Sequence, residues 1–101
     1  MEHLEDLMIP MTDSPTFRLP PSLDLAAAET LLQTVRHVLQ EGGSIDGAQV
    51  ERVSTPCLQV LAAGAAAARH AGLTFRIQAP SPVLLAAISD LDLVAAIPVE
   101  A

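Results

Sequence analysis

The residues in this chain able to do chemistry are few, and they gather near its middle. Cys57 is the only cysteine, directly after a Thr55–Pro56 pair, and Asp46 and Glu51 lie just upstream. Thr at an N-cap followed by Pro at the first helical position is a strong start signal, because the hydroxyl accepts from an orphan N–H and Pro needs no partner there. A helix beginning at Thr55 would place Cys57 in the first turn, where the helix dipole lowers a thiol's pKa, so a nucleophilic cysteine is one reading. A small buried cysteine is the simpler one. Asp46 could serve as a general base or a metal ligand, but no second carboxylate stands at a spacing that would join it. Its simpler role is to accept from loop amides. His3, His37 and His70 form no i, i+4 pair of the kind that binds a metal on one helix face. Catalytic, metal-binding and cofactor-binding residues are therefore not expected, and an enzyme using Cys57 or Asp46 is a remote alternative.

Composition narrows the function classes further. The chain has 101 residues, a length suited to one domain and one core. Half of the residues are hydrophobic while 2% are aromatic, which predicts an aliphatic core. The formal net charge of −7 rests on 12 acidic and 5 basic residues, and the basic ones are scattered arginines. Nucleic acid and anionic membrane surfaces both need a basic face, so neither is an expected partner. The lone cysteine fits a reducing compartment. The opening residues Met1-Glu2-His3-Leu4-Glu5-Asp6 have neither the positive start nor the apolar run of a secretory signal, and the alanine-rich run from Val60 meets Arg69 after too few residues to cross a bilayer. The expectation is a cytoplasmic protein without membrane insertion.

The elements that would position these residues alternate between two periods. Residues 1–14 read as a loosely ordered lead-in, or an edge strand around Leu7 to Met11. Thr16-Phe17-Arg18-Leu19 alternates as a strand and stops at Pro20-Pro21. Leu25, Ala28, Leu31, Leu32, Val35, Val38 and Leu39 then fall at helical spacing, with Ser22 or Asp24 as cap and Gly42-Gly43 as stop. Ser44 to Gly47 is expected to be a strand because it lies between two helical stretches. A loop, Ala48 to Ser54, leads into the Thr55 helix, which ends at Gly72. Leu73 to Ile77 alternates as a strand, Ser81-Pro82 opens a third helix carrying Val83, Leu84, Ala87, Ile88 and Leu91, and Pro98 allows at most an edge strand near Val94 to Val99. The alanine run Ala62 to Ala68 suits a helix that approaches the sheet closely. The order predicts an α/β domain over 15–101: a small, mostly parallel sheet flanked by three or four helices, with right-handed crossovers. In such sheets the functional rim lies where strands end and helices begin, here Asp46 to Leu58.

From Phe17 to Ile97 the chain resembles the STAS family. Leu23-Asp24-Leu25 looks like that family's entry to its first long helix. Ile45-Asp46 followed by Val53-Ser54-Thr55-Pro56-Cys57-Leu58-Gln59-Val60-Leu61 resembles its central strand, loop and second helix, and Pro80-Ser81-Pro82-Val83-Leu84 resembles the start of its third. Family members include anti-sigma factor antagonists, chemotaxis-linked proteins and the small cytoplasmic subunit of phospholipid transporters.

The resemblance implies a non-enzymatic signalling or regulatory module that docks on a protein partner. In its regulatory members a Ser or Thr at the start of the second helix is phosphorylated, which makes Thr55, with Ser54 beside it, the candidate here. A phosphate there would bring roughly −1.5 to −2 charges onto the docking surface. Regulatory members usually carry an acidic residue before the hydroxyl and small residues after it, where this chain has Ser54, Pro56 and Cys57. The expected partner-binding residues are Asp46, Glu51, Arg52, Ser54, Thr55, Cys57 and Gln59. The implied partner is a serine kinase or anti-sigma factor, a chemotaxis protein, or the ATPase subunit of an ABC-type phospholipid transporter.

Overall fold

Two short strands begin the described chain, which in this computed structural model covers residues 15–100. The lead-in or edge strand expected in residues 1–14 lies outside the described residues. β1 (Thr16–Arg18) and β2 (Ser22–Leu23) lead through a 3₁₀ turn (Leu25–Ala27) into α1 (Ala28–Glu41), followed by β3 (Ser44–Asp46), β4 (Arg52–Val53), α2 (Thr55–Ala71), β5 (Ile77–Gln78), α3 (Pro82–Asp90) and β6 (Val99–Glu100). Four strands form a parallel sheet in the order β1-β3-β5-β6, and β2 and β4 form a separate parallel pair.

The register sorts the sheet into two faces, because successive side chains in a strand point to opposite sides. Phe17, Ile45, Ile77 and Val99 share one row, and Arg18, Asp46, Gln78 and Glu100 share the next. Ile45 and Ile77 are fully buried, whereas the second row is polar. A strand order that always advances in one direction, joined by right-handed crossovers, places the three helices on a single face. The aliphatic row faces them, and the polar row is solvated. Parallel sheets usually read as continuous apolar runs because helices cover both faces, so the alternation in Thr16–Leu19 is the signature of a sheet covered on one side.

The core joins the sheet to the facing helix stripes: Leu31, Val35 and Val38 of α1, Leu58, Leu61, Ala65 and Ala68 of α2, Leu84 and Ile88 of α3. The small residues of α2 include Gly64, which permits close approach to α1. A β-carbon at Gly64 would stand 2.5 Å from Val35 Cγ1.

Three elements differ from the sequence reading. Leu25, placed on the apolar stripe, is 71% exposed. The chain there is a 3₁₀ turn, whose three-residue period rotates Leu25 off the face that the later residues share. The strand expected over Leu73 to Ile77 starts only at Ile77. Gly72 takes the left-handed conformation and Leu73 N–H donates to Ala68 O, so the residues after α2 close its last turn before the chain can enter the sheet. Finally, the stretch read as a loop from Ala48 to Ser54 contains β4, paired with β2 through Ser22–Arg52 and Leu23–Val53. The edge strand expected near Val94 to Val99 forms only from Val99, as β6, and Pro98 just before it contributes its carbonyl to Ile77 N–H, a role needing no N–H of its own.

Candidate functional site: a capped rim

Three helical starts meet at one end of the sheet, and each is closed by a side-chain oxygen. Asp24 Oδ1 accepts from Ala27 N–H at 3.0 Å, Ser54 Oγ from Cys57 N–H at 3.4 Å, and Ser81 Oγ from Leu84 N–H at 3.1 Å. The first N–H groups of a helix have no partner within it, and these short oxygens supply one.

The second cap corrects the sequence reading. Ser54, not Thr55, is the N-cap of α2: Ser54 is extended at φ −86° and ψ 158°, and the helix begins with Thr55. Thr55 thus occupies N1 and Pro56 follows it at N2. An extended residue directs its hydroxyl back over the first turn, while one already in the helix does not, so Ser54 carries the hydrogen bond and Thr55 is left exposed.

The loop ahead of α2 is held on both sides. Asp46 Oδ1 accepts from Ala48 N–H at 2.8 Å, the loop-ordering role expected of it. Glu51 and Arg52 both donate to Pro21 O, at 2.7 and 3.0 Å, and Ser54 N–H donates to Leu23 O at 2.7 Å, which ties the loop to the β2 segment. On the other side Ser81 Oγ donates to Val50 O at 2.7 Å, and Ser81 N–H donates to Gly47 O at 2.9 Å. Val50, between these anchors, is buried.

The side chains expected to meet a partner divide into two groups. Glu51, Arg52, Thr55 and Gln59 are exposed, and Asp46 and Ser54 are half-buried beside them. Cys57 is a correction: it is fully buried, and its Sγ donates to Asp24 O at 3.3 Å. It joins the start of α2 to the turn before α1 from inside, so its side chain neither lines a docking surface nor faces a substrate.

A shallow cavity of about 430 Å³ opens beside the loop, between Pro21, Gln49, Glu51 and the first residues of α3, Pro82 and Val83. Val83 is 45% exposed there. Sequence reasoning missed this apolar component of the rim, because it places Val83 on the apolar stripe of the third helix, and the structure corrects that. The parallel topology was the available signal, since it brings the start of α3 to the same sheet end as the start of α2.

Among the described residues no group of three His, Cys, Asp or Glu could hold a metal ion, and no helix is long and apolar enough to cross a membrane. The geometry offers an ordered polar loop, an exposed helix start and a small apolar recess, and among the described residues Cys57, the lone thiol, is buried away from the rim. Among curated proteins none matches the chain. The family pattern described as "Mlab, STAS domain" matches residues 10–96, which span every element from β1 to α3. The chain belongs to the STAS domain family.

Proposed function

We propose that this chain is a non-enzymatic regulatory STAS protein of the cytoplasm that docks on a protein partner through the loop from Ala48 to Ser54 and the first turns of α2, with phosphorylation of Thr55 as its switch. The observation that carries the reading is the division of labour between neighbouring hydroxyls. Ser54 closes the helix, and Thr55, one position on, is exposed and its hydroxyl makes no hydrogen bond among the described residues. A phosphate on Thr55 would leave the cap intact while adding roughly −1.5 to −2 charges to the exposed start of α2, on the surface a partner must cover. The partner is a serine kinase or anti-sigma factor, or a chemotaxis protein.

The test is to incubate the protein with ATP and a candidate serine kinase, and to follow its mass. A gain of one phosphate that disappears in Thr55→Ala supports the switch. Labelling that persists in Thr55→Ala assigns the modification elsewhere and defeats the proposal.

A second reading is supported by the flanks of Thr55. Ser54 before it is committed to capping and is not acidic, and Pro56 stiffens the turn after it. A rim of this kind suits constitutive docking, as in the small cytoplasmic subunit of an ABC-type phospholipid transporter. Stable co-purification with a transporter ATPase subunit, unchanged in Thr55→Ala and Thr55→Glu, would establish this reading over the switch.

A further inference from the structure

The C-terminal end of α2 borders a cavity of about 230 Å³ lined by Ala68, Arg69, Leu73, Phe75, Arg76 and Pro98. Arg69 stands about 20 Å along α2 from Thr55, so this cavity is remote from the capped rim. Ala68 and Phe75 are buried and give it an apolar floor, and Leu73 is 47% exposed. Its charged groups are two arginines, in a chain that has 5 basic residues and a formal net charge of −7. Neither guanidinium is used up by the fold. Arg69 is not needed to close its own helix, because Gly72 N–H donates to Arg69 O at 3.2 Å and Leu73 N–H to Ala68 O at 2.7 Å. Its Nη1 reaches instead to Ala96 O at 3.4 Å, which steadies the side chain and engages a single N–H. Arg76 Nη1 meets Glu100 Oε2 at 3.7 Å with both side chains more than half exposed, so the pair is weak and a better-placed anion can displace it.

We propose that this cavity binds a small carboxylate bearing a short apolar chain. The head group is held by Arg69 and Arg76, whose planar forks match the two oxygens of a carboxylate, and Glu100 already shows that Arg76 attracts one. The chain lies against Leu73, Phe75 and Pro98, where removal of apolar surface from water adds to the affinity. A single negative charge suits the site better than a phosphate dianion, which the acidic protein as a whole repels more strongly. The cavity is smaller than the roughly 300–1,000 Å³ of sites that take drug-sized molecules, and this limits the ligand to a few carbons.

Titration of the full chain with hexanoate, 1-hexanol and inorganic phosphate, each at fixed pH and ionic strength and followed by amide NMR, tests this directly. Hexanoate should shift the amides of residues 73–76 saturably, at a concentration about tenfold or more below that needed for hexanol or phosphate. Arg69→Gln and Arg76→Gln should each weaken hexanoate binding about tenfold while leaving the amide signals of residues 48–55 in place. The proposal is overturned if hexanoate moves no signal at 73–76, if hexanol or phosphate acts as strongly as hexanoate, or if both variants bind hexanoate as the unaltered chain does. Should Arg69→Gln fail to fold, Arg76→Gln decides the matter, because the side chain it removes is exposed and holds only the weak pair with Glu100.

Discussion

The hydroxyl of Ser81 donates to the carbonyl of Val50 at 2.7 Å while accepting from Leu84 N–H, linking the loop ahead of α2 to the start of α3 across 31 positions of sequence. One buried side chain therefore closes a helix and anchors the loop that leads to Thr55. The loop's other anchors come from the β2 segment, so its shape depends on two elements distant from it in sequence.

Replacing Ser81 with Ala should remove both hydrogen bonds and leave Val50 O and Leu84 N–H without a partner in a buried place. The expected cost is about 2 kcal/mol, the range for an orphaned buried polar group combined with a lost cap. Urea unfolding measures the loss. Amide exchange at Ala48 to Glu51 should quicken more than exchange in α1, and uniform quickening would show that Ser81 does not hold the loop in particular.

The two hydroxyls at the start of α2 should separate in the same way. Ser54→Ala removes a capping acceptor and should cost about 1 kcal/mol. Thr55→Ala touches an exposed residue whose hydroxyl makes no hydrogen bond among the described residues, and it should change stability by less than about 0.5 kcal/mol. Thermal unfolding of the two variants checks both values. The contrast also makes Thr55→Ala a sound probe of phosphorylation and binding, because its effects there would not arise from a weakened fold. An equal loss in both variants would return the cap to Thr55.

Much of the fold was legible because its signals are local. Ser81-Pro82, the stop at Gly72 and the stripe Leu31, Val35, Val38 are each read from a few neighbouring residues, and each stands where expected. What could not be read depends on distant partners. β2 and β4 have two residues each, too few for any period, and exist because Leu23 and Val53 meet across the chain. The cap at Ser54 was mistaken for one at Thr55 because both residue types cap well, and only the backbone angle at Ser54 distinguishes them. The burial of Cys57 was the simpler reading of that residue, yet its place under the loop needed the Asp24 turn, which is remote in sequence. The exposure of Glu51, Arg52, Thr55 and Gln59 was thus legible, and the apolar recess at Val83 was not.

Gly64 lies in the middle of α2, where intrinsic preference favours Ala by about 1 kcal/mol. Packing should reverse that sign. The added β-carbon would stand 2.5 Å from Val35 Cγ1, so α1 and α2 would have to move apart, and overpacking of this kind costs about 1–3 kcal/mol. Gly64→Ala should therefore lower the unfolding midpoint. Val35→Ala in the same chain should recover part of the loss, since it removes the atom in the way. A double-mutant cycle with no coupling between the two positions would place the clash elsewhere.

At Ala79 the expected sign is the opposite. This residue follows β5 with φ +48°, one of two non-glycine residues with positive φ among the described residues, and its N–H donates to Glu100 O at 2.7 Å. That hydrogen bond holds the backbone of the β5–β6 edge in place, and it does not involve the side chain. A β-carbon in the left-handed region costs about 1–2 kcal/mol, while glycine's larger entropy loss on folding costs about 0.5–1 kcal/mol. The first exceeds the second, so Ala79→Gly should stabilise the protein by about 0.5–1 kcal/mol. Chemical denaturation at constant m-value measures it. A decrease in stability would mean that the methyl group contributes packing at the rim that outweighs the relief of strain.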